Sequence, residues 1–303
     1  MSLRIVIIRT LAIGCAIAAV VPSCTDPSPD GRLQVVASFS PLAEAAARVG
    51  GASVAVTNLT APGVEPHDLE LSPSQAAAVA EADVVLYLGG GFQPAVEDAA
   101  ASSQGTSVDV SSALRTLPVP AGESEPSLTA DPHVWLDPVL YRRIVQEVER
   151  TLAASAPDDA ASFAANASAF ETRLGDLDAA YRSGLADCDR DEIVTSHAAF
   201  GYLAARYGLR QEAIVGLAPD VEPSPQRLAD LKATVERDGV TTIFTEELLS
   251  PDVAETIAHE TGTTIAVLSP LESLTPDELA SGDNYDSIMR QNLTELERAL
   301  GCS

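Results

Sequence analysis

Basic residues are scarce in this chain: Lys and Arg together number 18 against 44 Asp and Glu, a formal net charge of −26. A surface of that sign repels phosphate backbones, which argues against nucleic-acid binding. It suits a solvated face that keeps a protein soluble, and it is not itself a metal site. Cysteine is sparse as well, with four in 303 residues and no CxxC or CxC pair to hold a metal. No GxGxxG occurs, so the triple glycine Gly89-Gly90-Gly91 reads as a turn rather than a dinucleotide fingerprint. Neither an HExxH helix nor a GxSxG elbow is present, which removes two common hydrolase constellations. The one pronounced apolar run, Thr10 to Val21, is twelve residues long, short of the roughly 20 that span a bilayer.

That run has the form of a targeting signal. Arg4 and Arg9 precede it, and Val21-Pro22-Ser23-Cys24 follows, resembling a bacterial lipobox. The expectation is a lipoprotein signal peptide over 1–23, a lipidated Cys24 as the first mature residue, and a flexible tether over 24–32. Cleavage at Cys15, or export without a lipid, are the alternatives. An exported chain meets an oxidising compartment, where a Cys188–Cys302 disulfide is expected, closing a loop of over a hundred residues. Two buried free thiols are the alternative.

The chain is long enough for two domains. Short β-branched runs alternate with alanine-rich stretches: strands over 33–39, 53–59 and 83–88, with helices over 41–49 and 74–81. The alternation restarts after Cys188, with strands over 193–196, 213–217, 241–245 and 264–268 and helices over 198–207, 225–238 and 253–260. Between the blocks lie one helix over 139–154 and a second that Pro157 restarts and that runs to about Ala186. This is an α/β pattern of two lobes, each a mostly parallel sheet flanked by helices, joined by one long spanning helix. The expected division is an N-terminal lobe over 33–156, the connecting helix over 157–187 and a C-terminal lobe over 188–303.

The chain has four histidines. His67, His133 and His197 stand at strand ends or in loops, in the contexts Gly63-Val64-Glu65-Pro66-His67, Asp131-Pro132-His133 and Thr195-Ser196-His197. Ligand sites of parallel α/β lobes gather at the carboxyl ends of strands, and imidazole is a common zinc ligand. Pro66 and Pro132 restrict the backbone just before two of these rings. By spacing alone, three scattered histidines are a weak signal, since any one of them is more often a surface or hydrogen-bonded residue.

The segments GVEPHDLELSPS (63–74), DPHVWLDP (131–138) and SHAAFGYLAARYGL (196–209) resemble those of the zinc- and manganese-binding solute-binding proteins of bacterial ABC importers. GLAPDVEPSPQRLADL (216–231), LSPLESLT (268–275) and GDNYDSIMRQNLTEL (282–296) extend the likeness, in order, to nearly the whole chain from Leu33 onward. The resemblance implies a metal site in the cleft between the lobes, with His67, His133 and His197 as ligands and Asp283 as the fourth. Three imidazoles and a carboxylate suit Zn²⁺ better than Mn²⁺, which prefers more oxygens. The chain departs from many zinc-type members in having no histidine in the stretch 117–130, where only Glu123 and Glu125 are acidic. Glu65, Asp137 and Glu246 are candidates for orienting the ligand histidines. His259 matches no ligand segment, and Trp135 reads as packing.

The implied function is an exported, lipid-anchored receptor that captures Zn²⁺ outside the cytoplasmic membrane and delivers it to the membrane permease of an ABC importer. It would act as a monomer and not as an enzyme. A manganese receptor of the same family, a surface adhesion lipoprotein on the same fold, and a zinc hydrolase are the alternatives.

Overall fold

The structure is a computed structural model that describes residues 31–67, 69–120, 127–219 and 221–303. The signal segment, Cys15, the lipobox with Cys24, most of the tether, and Glu123 and Glu125 lie outside the described residues. Among the described residues no helix is long and apolar enough to cross a membrane.

Eight strands form two four-stranded parallel sheets. The first has β1 (Leu33–Ala37), β2 (Val54–Asn58), β3 (Val84–Tyr87) and β4 (Thr106–Asp109) in the order β2-β1-β3-β4. The second has β5 (Glu192–Thr195), β6 (Arg210–Ala213), β7 (Thr242–Thr245) and β8 (Thr264–Val267) in the order β6-β5-β7-β8. All pairings are parallel, from Val35 opposite Val84 in the first sheet to Thr242 opposite Thr264 in the second. Among the described residues there are ten α-helices: α1 (Ser40–Gly50), α2 (Pro73–Glu81), α3 (Pro94–Ala100), α4 (Pro138–Ser155), α5 (Ala160–Gly184), α6 (Gly201–Tyr207), α7 (Pro225–Asp238) and α8 (Asp252–Thr261) connect strands, and α9 (Pro276–Ser281) and α10 (Tyr285–Leu300) follow β8.

Side chains of a strand point alternately to its two faces, and the central strands β1, β3, β5 and β7 bury apolar side chains on both. Val35 and Ala37 of β1, with Val84 and Leu86 of β3, join a large core shared with α1, α4 and α5. Val36 and Val85 face the other way, onto Val79 of α2 and Val96 of α3. The second sheet repeats the arrangement. Ile193 and Phe244 enter the large core, while Val194 and Ile243 pack under Leu231 and Val235 of α7 and Ile257 of α8.

The long helix expected between the lobes is present as α5, with 25 residues and a length of about 37 Å at 1.5 Å per residue. Its face of Phe163, Ala167, Phe170, Leu174, Leu177 and Tyr181 is buried, and it packs against α1 and α4 at one lobe and α10 at the other. Tyr181 donates its hydroxyl to Met289 O on α10 at 2.7 Å. Beyond α5, Cys188 is joined to Cys302 by a disulfide, which fastens the end of α10 to the start of the second lobe.

Two elements differ from the sequence reading. The strand expected over 213–217 lies earlier, at Arg210–Ala213. β6 is an edge strand, so its Arg210, Gln211 and Glu212 hide the β signal behind polar side chains. The segment 198–207 is broken into a 3₁₀ turn (Ala198–Phe200) followed by α6. The triple glycine is a turn: Gly90 and Gly91 have φ of 84° and 88°, and a Cβ on Gly91 would collide with the Ser127 carbonyl.

Candidate metal centre

Parallel sheets leave the carboxyl ends of their strands facing one crevice, and four loops from those ends meet at the junction of the lobes. His67 lies between β2 and α2. His133 precedes a single 3₁₀ turn, Val134–Leu136, that leads into α4. His197 lies two residues after β5, and Glu272 lies in the loop after β8. Among the described residues, His67, His133, His197 and Glu272 form a group whose ligating atoms all lie within 4.8 Å of one another.

The spacing is chemically specific. Glu272 Oε1 is 3.0 Å from His133 Nε2 and 3.3 Å from both His67 Nε2 and His197 Nε2. The two Nε2 atoms of His133 and His197 are 3.3 Å apart. Tetrahedral ligands about 2.0–2.1 Å from a common centre stand about 3.3–3.4 Å from each other. Four of the six separations among these atoms thus match a four-coordinate zinc shell, and all six lie within 4.8 Å. His133 and His197 are fully buried and Glu272 is 1% exposed.

Two of the rings are held by carboxylates on their outer nitrogens. His133 donates from Nδ1 to Asp131 Oδ1 at 2.8 Å, and its backbone N–H donates to the same oxygen at 3.0 Å. His197 Nδ1 donates to Glu246 Oε1 at 2.7 Å, again together with its own backbone N–H at 3.2 Å. A proton fixed on Nδ1 leaves the Nε2 lone pair aimed at the centre and raises its basicity. Asp131 is itself placed by Tyr202, whose hydroxyl donates to its carbonyl at 2.7 Å. Gly201 leaves the space its carboxylate occupies. His67 is set differently: its backbone N–H donates to Glu65 Oε1 at 3.1 Å, and its ring packs edge-on against Phe92 at 4.8 Å.

The electrostatics follow from burial and from this crowd of acids. Burial opposes charge on His67 and lowers its pKa. Burial opposes charge on His133 and His197 too. There the paired carboxylates outweigh it, Asp131 and Glu272 at His133, Glu246 and Glu272 at His197, and both pKa values rise. Glu272 is buried, yet His197 and the other two rings hold it ionised, well below the ordinary carboxylate range. Burial, with Glu272 beside it, pushes Glu65 up to about 9. Burial pushes Glu247 up to about 7.

The candidates read from the sequence divide accordingly. The structure brings His67, His133 and His197 together, with Glu246 behind His197 and Glu65 beside Glu272. Asp283 is not in the cluster. It follows α9, its side chain meets Gln291 Nε2 at 3.5 Å, and it lines a surface pocket with Ser40, Glu44 and Tyr285. Asp137 caps α4, accepting from Val139 N at 2.8 Å, and pairs with Arg206. Its bonds go to these groups rather than to an imidazole. Trp135 is buried as expected but also donates Nε1–H to Pro270 O at 2.7 Å. Glu272 and Asp131 are the residues that sequence reasoning missed. The strand-end rule that points to His197 points equally to the acid of LSPLESLT, just past β8, whereas Asp283 lies between two helices. Asp131 stands two residues before His133, within reach of its ring.

Two parallel-sheet lobes that meet around a buried set of three imidazoles and a carboxylate define a two-lobed metal-binding protein. The chain belongs to the ZnuA family, described as zinc-uptake complex component A, periplasmic, whose model matches residues 35–299. It is 36% identical over 282 residues to the zinc-binding lipoprotein AdcA of Streptococcus pneumoniae, covering 89% of this chain but only 56% of that protein. It is 35% identical over 298 residues to the high-affinity zinc uptake system protein ZnuA of Bacillus subtilis, covering 94% of this chain and 93% of that one. Among solved structures, the Zn(II)-bound ZnuA-like domain of pneumococcal AdcA superposes with a TM-score of 0.77 at 37% identity, covering 89% of this chain and 99% of the domain. The laminin-binding protein Lmb of Streptococcus agalactiae, described as having adhesin and metal-transporting activity, superposes with a TM-score of 0.80 at 30% identity, covering 88% of this chain and 99% of Lmb.

Proposed function

We propose that this protein is an exported, lipid-anchored receptor that binds Zn²⁺ through His67, His133, His197 and Glu272 and delivers it to the membrane permease of an ABC importer. The observation that carries this reading is the set of 3.0–3.3 Å separations between Glu272 Oε1 and the three Nε2 atoms, which suit one tetrahedral zinc ion. Nitrogen outnumbers oxygen in the set, which favours zinc over manganese. Four side-chain ligands fill the shell, so no position is left for the activated water of a zinc hydrolase. Membership of a family described as the periplasmic component of a zinc-uptake complex supports a role in transport. The lipobox at Cys24 supports anchoring on the outer face of the cytoplasmic membrane.

The test is metal analysis of protein purified without added metal, followed by zinc titration of the wild type and of alanine variants at the four ligand positions. One zinc per chain is expected, with binding severely weakened in each variant. Protein that takes up manganese in preference to zinc would overturn the assignment of the cargo.

A further inference from the structure

The segment that carries Glu272 is held in an unfavourable backbone conformation. Leu271, the residue before it, has φ 57°, and no other described non-glycine residue has positive φ. Leucine pays sterically for that region, so it persists only where the surroundings over-determine it. Two side chains supply the hold. Asn292, on α10 and 3% exposed, accepts from Ser269 N at 2.9 Å and donates Nδ2 to Ser269 O at 2.7 Å. Trp135, from the turn that follows His133, donates Nε1 to Pro270 O at 2.7 Å. The two residues immediately before the strained leucine are thus tied from opposite sides, one by the C-terminal helix and one by the neighbouring ligand loop. A buried amide is costly unless both its ends are bonded, and Asn292 bonds both to a single residue.

The result is a carboxylate that meets all three Nε2 atoms with the one oxygen Oε1. We infer that Asn292 and Trp135 are positioning residues, gripping the backbone at Ser269 and Pro270 so that Leu271 presents Glu272 as a one-oxygen fourth ligand. This inference rests on the zinc-receptor reading and extends it to selectivity. With either grip released, Leu271 relaxes toward negative φ and the carboxylate swings. A mobile carboxylate offers both oxygens, which suits cations that take more oxygen ligands than zinc does.

The test uses the full chain with Asn292→Asp and Trp135→Phe. The first keeps the side-chain shape and the oxygen that faces Ser269 N, but sets a second oxygen against Ser269 O. The second keeps an aromatic ring in the core but loses the N–H together with part of the indole's buried volume. Zinc affinity is read by chelator competition, coordination by the visible bands of the Co²⁺-loaded protein, and selectivity by the zinc-to-manganese affinity ratio. Expected are a zinc affinity weakened about 10- to 100-fold in each variant, weaker tetrahedral cobalt bands, and a lower zinc-to-manganese ratio. Wild-type zinc affinity within twofold in both variants, with an unchanged cobalt spectrum, would overturn the inference even if melting temperatures fall. Glu272→Ala, measured alongside, separates the two levels. If it binds zinc poorly while both positioning variants bind normally, only this inference fails. If it binds zinc normally, the fourth-ligand assignment fails with it.

Discussion

Glu246 holds His197 at two points with one oxygen: Oε1 receives the ring Nδ1–H at 2.7 Å and the backbone N–H of the same residue at 3.2 Å. Asp131 repeats the arrangement on His133. One oxygen bonded to both ring and backbone fixes the ring's rotation as well as its tautomer, so the Nε2 lone pairs are aimed before any metal arrives. Glu246→Ala and Asp131→Ala are therefore each expected to weaken zinc binding about 10- to 100-fold, read by competition with a chromogenic chelator. Asp137→Ala is the contrast. It removes the cap of α4 and the partner of Arg206, so a stability loss of about 1 kcal/mol or more is expected, with zinc affinity unchanged.

Glu272 and Asp283 give opposite expectations from two acids eleven positions apart. Glu272→Ala leaves the shell open and is expected to weaken zinc binding severely, while Asp283→Ala is expected to bind as the wild type does. Isothermal titration of the two variants decides between them. Normal binding by the first with loss in the second would restore the ligand set read from the sequence.

Protons compete with zinc for this site, and the pH range follows from the directions of the shifts. His133 and His197 have folded-state pKa values above 6.5, so the metal-free rings are already partly protonated there. Each proton must leave before Nε2 can ligate. Zinc affinity is expected to decline as pH falls, beginning above pH 6.5 rather than below it, with proton release visible as a buffer-dependent binding enthalpy. The metal-free fold should show the reverse trend. Groups with raised folded pKa values contribute stability at low pH that is lost as pH rises through those values. Glu65 at about 9 and Glu247 at about 7 act in the same direction as the two histidines. His67, whose pKa burial lowers, acts oppositely around its unfolded value of 6.5, and Glu272 acts oppositely only below its unfolded value of about 4.5, so the four groups with raised values outnumber them. Metal-free protein should melt higher at pH 6 than at pH 8, and zinc-loaded protein should not; scanning calorimetry at both pH values reads the difference.

The Cys188–Cys302 bond joins residues 114 apart in sequence. Closing a loop of that length constrains the unfolded chain by about 4–5 kcal/mol in the chain-entropy model. Reduction is expected to lower the melting temperature by roughly 5–10 °C. An identical melt with and without reductant would show that the bond adds nothing. Because Leu300 and Gly301 accept backbone hydrogen bonds from Arg190 and Asp189 beside it, the loss should begin at the end of α10.

Much of this protein was legible before folding is considered. β-Branched runs such as Asp83–Leu88 and helix starts such as Ser72-Pro73 are local: strand propensity and capping act over a few residues, so α2 begins where Ser72 caps Gln75 N. The unbroken stretch after Pro157 likewise marks α5, and three of the four cluster residues stand in motifs specific enough to name. What was not legible is non-local. β6 is polar because only one of its edges is paired, which depends on its place in the sheet.

By itself, the sequence determined two α/β lobes, a long helix between them and three imidazoles offered at loop ends, because these rest on periodicity, turn chemistry and residue type. Only the tertiary structure shows that the acid standing beside the three imidazoles is Glu272, with Asp283 outside the cluster. It also decided that Asp131 and Glu246 aim the rings while Asp137 caps a helix. The reason is geometric. Which acid reaches a point between two lobes depends on where β8 ends and on how Asn292 and Trp135 hold the following loop. Those distances are set by contacts between residues 23 and 135 positions apart in the chain.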